Sequence, residues 1–134
     1  MQTHVKANRE AIDRVKALAG SDNDDPVLML NINRYTDAAG FPDGAAYTTY
    51  MSRLEHSVSA GGGKVLWRTP VTDSVIGCEH DQYDEILAVW YPDHSAFLAL
   101  PKAEGAGLMF ESRAECVAHA TILSLPGDRA PLEP

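Results

Sequence analysis

The chain has 134 residues, 45% of them hydrophobic and 22% charged, which suits one globular domain with a core of its own. Its formal net charge is −8 with no Lys/Arg cluster to offset it, which argues against nucleic acid and against an anionic membrane surface as partners. No apolar run approaches the ~20 residues of a membrane span, and MQTHVKANREAIDRVKALAG has no continuous apolar stretch of the signal-peptide kind, so a cytoplasmic protein is expected.

Residues 3–19 read as a helix, with Val5, Ile12, Val15 and Leu18 roughly on one face and charged residues between them. Gly20 ends it and SDNDDP forms a polar linker, so residues 1–25 stand apart from the domain that follows. At ~17 residues the helix is marginal in isolation. Its apolar face must dock on the domain or on a neighbouring subunit, and the partner subunit is the preferred expectation.

PVLMLNINRY, residues 26–35, is apolar on both faces at its start and reads as a strand covered on both sides. Asn31, Asn33 and Tyr35 share one face. TDAAGFPD is turn-like. Residues 44–60 form a second helix, with Asp43 as the expected N-cap and Tyr47, Tyr50, Met51, Leu54 and Val58 as the inward stripe. His56 falls nearly opposite that stripe.

Gly61, Gly62 and Gly63 follow this helix and precede the strand Lys64–Val71, in which Val65, Trp67 and Thr69 are expected on one face. Glycines there read as a helix stop and a chain reversal. A phosphate cradle would place them before a helix, so that reading is set aside.

Residues 72–83 read as a loop, and 84–91 as a third strand with Ile86, Ala88 and Trp90 on one side. Pro92 and Asp93 open a helix through about Leu100, Pro101 interrupts it, and 105–114 add an irregular helical piece. Residues 115–125 hold the fourth strand, and the Pro-rich 126–134 reads as a mobile tail. The order β-α-β-β-α-β is the split βαβ, or ferredoxin-like, motif. It predicts an α+β domain over 26–125, with one four-stranded antiparallel sheet and two helices on one face. Leu28, Leu30, Leu66, Leu87, Val89, Leu123 and Leu125 are expected to make the other face apolar, which marks an interface with a second copy.

The segments VLMLNINRY, YTTYMSRLEHSVSAGGGKVLW, DEILAVWYPDHSAFLAL and ESRAECVAHATILSL, taken in order, resemble the DUF1330 family of the dimeric α/β-barrel superfamily. The resemblance spans about residues 26–125 and leaves the N-terminal helix outside it. It rests on the Tyr47-x-x-Tyr50 helix, the glycines before the second strand, the aliphatic–Trp–Tyr–Pro third strand and Arg113 shortly before the fourth. It implies a ferredoxin-like protomer and a homodimer. It brings no reaction, because superfamily relatives range from cofactor-free monooxygenases, isomerases, cyclases and haem-degrading enzymes to stress-responsive barrels without known catalysis.

The natural pocket of such a fold lies between helices and sheet, and takes a small organic molecule. Asn31, Asn33 and Tyr47 could supply its polar contacts, and Trp67 and Trp90 flat walls. Tyr50, His94 and Arg113 are the candidate catalytic groups: a hydroxyl and a guanidinium for an oxyanion, and an imidazole for general base work. Each also has a purely structural reading, as core tyrosine, packing tryptophan, backbone-bonded asparagine or surface ion pair. No cofactor motif or nucleophile elbow is present. Cys78, His80, Asp81 and Asp84 match no standard metal spacing, and Cys78 and Cys116 read as free thiols. Two functions fit: a small-molecule-binding protein, as an enzyme a cofactor-free isomerase, cyclase or monooxygenase of an enolisable or aromatic substrate; or a non-catalytic dimeric module whose pocket is filled.

Overall fold

The computed structural model describes residues 8–128, so residues 3–7 of the expected first helix and 129–134 of the expected tail lie outside the described residues. Helix α1 is Arg9–Ala19, capped by the Asn8 side chain, which accepts from the Ala11 amide. Strand β1 is Val27–Tyr35, helix α2 Ala45–Ala60, strand β2 Lys64–Pro70, strand β3 Glu85–Tyr91, helix α3 His94–Ala99, helix α4 Ala106–Cys116 and strand β4 Val117–Pro126. The 105–114 segment is thus a regular helix, longer than expected.

The strands form one antiparallel sheet in the order β2-β3-β1-β4, the arrangement of the split βαβ motif. Side chains directly opposite on paired strands share a face. The register sets Leu87 against Asn31, Val89 against Met29 and Tyr91 against Val27. These alternate residues face the helices and pack with Tyr47, Tyr50, Met51, Leu54 and Val58 of α2 and Met109 and Cys116 of α4. Leu87 and Val89 therefore belong to the helix-side core. The opposite face carries Leu28, Leu30, Ile32, Ile86, Ala88, Trp90, Leu123 and Leu125, with Leu123 46% exposed.

One local difference from the sequence reading has a steric cause. Gly44, not Asp43, caps α2, and it does so without a side-chain bond. A Cβ at Gly44 would sit 2.6 Å from the Ala39 carbonyl and from Gly40, so the tight 40–44 turn requires glycine where the helix begins. At the other end Gly61 is the C-cap and Gly62 takes φ +89°, which is the stop and reversal expected of the triple glycine.

Helix α1 docks on α3 of its own chain, burying Val15. Asp24, in the linker, holds the junction. Its carboxylate accepts from the His94 amide at 2.6 Å and from the Ser95 hydroxyl at 2.6 Å, with the His94 Nδ1 at 3.2 Å. The Ser95 hydroxyl, with these backbone and ring contacts, holds the Asp24 carboxyl below its usual range. Asp24→Ala removes the acceptor that these donors share. Amide exchange across residues 9–19 should then accelerate at least about tenfold with β1 unchanged; equal protection in the variant would show that Asp24 does not hold the helix.

Candidate functional site

Glu85 opens β3 on the helix side and is 3% exposed. A carboxylate there requires partners, because an unpaired buried charge costs several kcal/mol. Each oxygen has one. The Tyr35 hydroxyl donates to Oε1 at 2.5 Å and the Tyr47 hydroxyl to Oε2 at 2.6 Å. Each phenol has a single proton to give and so accepts in turn: Tyr47 from Arg68 Nη1 at 2.7 Å, and Tyr35 from Asn33 Nδ2 at 3.4 Å. Arg68 Nη1 lies 3.7 Å from Glu85 Oε2, and Arg68 Nε 3.7 Å from Glu55.

Four elements place these groups. Asn33 and Tyr35 stand on the helix face of β1. Tyr47 lies in the first turn of α2, its ring edge-on to Phe41 and Tyr35 with centroids 4.9 and 5.2 Å away. Asp84 ties the start of β3 to the end of β1: its amide donates to the Asn33 carbonyl at 2.8 Å and its carboxylate accepts from the Tyr35 amide at 2.8 Å. Arg68 arrives through a bulge. The β2–β3 register slips between Val65 and Trp67, so Trp67 opposes Ala88 and Arg68 opposes Leu87. The expected Val65–Trp67–Thr69 face is broken there. Trp67 and Thr69 turn to the outer face, and Arg68 turns to Glu85.

An open pocket of about 420 Å³ lies over this network, lined by Phe41, Pro42, Tyr47, Arg68, Pro70 and Glu85. Of the sequence candidates, Tyr47 lines it. Asn33 stands behind it, bonded to Tyr35. Tyr50 is buried one turn further along α2, and the Arg113 guanidinium favours its ionised form. Asn31 donates to the Met29 carbonyl of its own strand at 3.1 Å. Trp90 faces outward, its indole donating to the Gly127 carbonyl at 3.2 Å, and Trp67 shares that face. His94 is held by Asp24 and does not line the pocket. Glu85 and Arg68 were not singled out in the sequence. Glu85 had a signal, a carboxylate on the alternating face of Leu87, Val89 and Tyr91. Arg68 had none, because the bulge is invisible to alternation.

No family model matches the chain, and no curated protein does. Among solved structures, the RPA0582 protein of Rhodopseudomonas palustris, described as of unknown function, is 22% identical and covers 96% of this chain and 100% of its own, with a TM-score of 0.77. The hydroxynitrile lyase of Passiflora edulis is 10% identical over 80% of this chain and 97% of its own, TM-score 0.60. A DABB family protein with a ferredoxin-like fold from Mesorhizobium loti is 10% identical over 75% of this chain and 94% of its own, TM-score 0.56. The fold is ferredoxin-like. At these identities the likeness extends to the fold alone. No helix among the described residues is long and apolar enough to cross a membrane.

The site holds its phenols neutral. Burial and then the Glu85 hydrogen bond raise Tyr35 and Tyr47 well above the ordinary phenol value, and burial, chiefly, pushes Tyr50 up to about 12 against the opposing pull of Arg113. Burial raises Tyr91 also. A raised folded value means stability is complete below the unfolded phenol pKa of 10.0 and is lost as pH rises from there toward the folded values. Absorbance at 295 nm should therefore show these four phenols ionising only together with loss of near-UV circular dichroism above pH 10. Ionisation of any of these four near pH 10 with the fold intact would contradict the buried network.

Proposed function

We propose that this is a DUF1330-like small-molecule-binding protein that holds its ligand over Glu85, and that its chemistry is cofactor-free proton transfer on an enolisable substrate. One observation carries the reading: a buried carboxylate, with both oxygens hydrogen-bonded, forms the floor of a pocket whose mouth carries an arginine. The ordered segments that resemble DUF1330 support the family placement.

In this reading Glu85 takes the proton from a carbon next to a carbonyl. Arg68 stabilises the oxygen on which charge develops, and Tyr47, which donates to Glu85 and accepts from Arg68, holds the two groups in place. Asn33 and Tyr35 fix the carboxylate, and Tyr50 with Arg113 supports the turn of α2 that presents Tyr47. The test is deuterium incorporation at the α-carbon of small aryl ketones in D2O, followed by NMR. Glu85→Gln should slow enzyme-dependent exchange at least about a hundredfold; exchange undiminished in that variant would remove Glu85 from the chemistry. The second reading is a non-catalytic binding module. The dense packing of Tyr35, Phe41 and Tyr47 against one another favours it, and it predicts ligand binding without exchange in the wild-type protein.

We also propose that the protein is a homodimer joined through the outer sheet face. Ile32, Ile86, Leu30 and Leu125 are half-buried there beside the exposed Leu123, forming an apolar surface suited to a two-fold contact. Leu123→Glu should convert a dimer to a monomer in sedimentation velocity; a wild-type monomer would overturn the proposal.

A further inference from the structure

Resting on that reading of the pocket, we infer that its ligand is an uncharged carbonyl compound with a flat apolar body, and that the site discriminates against carboxylates. The charges around the mouth decide the matter. Arg68 is the cation lining the pocket, and two carboxylates already face it: Glu85 at 3.7 Å from Nη1 and Glu55 at 3.7 Å from Nε. One positive charge against two negative leaves the mouth net negative, within a chain of formal net charge −8. Glu85 is the floor itself, with its side chain 4% exposed, so water screens its charge little from a ligand above it. An anionic ligand would meet that like charge at contact distance.

What remains for a ligand is a donor. Arg68 carries N–H groups on three nitrogens; the protein engages Nη1 and Nε, and among the described residues no group pairs with Nη2. A neutral carbonyl oxygen can accept from it without adding charge. Phe41, Pro42 and Pro70 supply apolar walls for the body of the ligand. A cationic ligand would gain from the two carboxylates but would meet the Arg68 guanidinium and leave Nη2 unanswered.

Three probes of similar shape separate these cases on the intact protein at pH 7.5: acetophenone, phenylacetate and 2-phenylethylammonium, titrated by saturation-transfer NMR. Acetophenone should bind at least about tenfold more tightly than phenylacetate. Arg68→Gln should weaken acetophenone at least about fivefold. Glu85→Gln keeps the shape and removes the charge, and should narrow the ketone-to-carboxylate ratio at least about fivefold. If Glu85→Gln does not fold, the exposed Glu55→Gln should narrow the same ratio by about twofold. Tighter binding of phenylacetate or of the ammonium would overturn this inference while leaving the Glu85 pocket as a binding site. Failure of all three probes to bind would overturn both.

Discussion

Glu85 is charged, buried and ringed by aromatic side chains, and the geometry on that side of the domain serves to make this tolerable. Two phenols from two different elements must each bring one hydroxyl within 2.6 Å of it. Each must accept a further bond to stay oriented, which draws in Asn33 and Arg68. The ends of β1 and β3 must be clamped, which Asp84 does from both its backbone and its side chain. Removing any one member leaves a neighbouring polar group stranded in low-dielectric surroundings, so the network stands as a unit rather than as a sum of contacts.

The sheet divides the molecule into two chemical environments. On its helix side the sheet's core-facing rows turn polar toward one end, where Asn33, Tyr35 and Glu85 stand in place of aliphatic residues. Its other side has no such transition and stays apolar from Leu28 to Ile32 on β1 and from Ile86 to Trp90 on β3. A buried polar network and an apolar surface thus occupy opposite faces of the same strands, each built from alternate residues.

Much of the architecture was legible in the sequence because it follows from period and punctuation. The stripe from Tyr47 to Val58 gave α2, the glycines its end, and the apolar runs three of the strands. The pairing of elements into β-α-β-β-α-β followed from their order. Within the site, Tyr47 and the Asn33–Tyr35 face were visible for the same reason. Other features were not. The assignment of Leu87 and Val89 to a face depends on register, which alternation within one strand leaves undetermined by a single step. Arg68 depends on a bulge, a backbone irregularity with no residue signature here. Asp43 looked like the cap of α2 because capping preference is local, whereas the choice of Gly44 is made by the Cα of Gly40 and the carbonyl of Ala39 folding back against it. His94 looked catalytic by residue type, and its neighbour Asp24 lies 70 positions away in sequence.

The bulge in β2 has a consequence for how such a protein can diversify. β2 is an edge strand, bonded to β3 and to no other strand of its sheet. Its register can shift by one residue without disturbing the central pair β1–β3, because nothing on its far side has to follow. Such a shift would exchange the arginine facing Glu85 for the neighbouring tryptophan or threonine. The guanidinium at the mouth is therefore a detachable part, carried on the margin of the scaffold, while the carboxylate beneath it is built into the middle. A lineage could change the side chain at the mouth by adding or losing one residue at the margin, and keep the same buried carboxylate throughout.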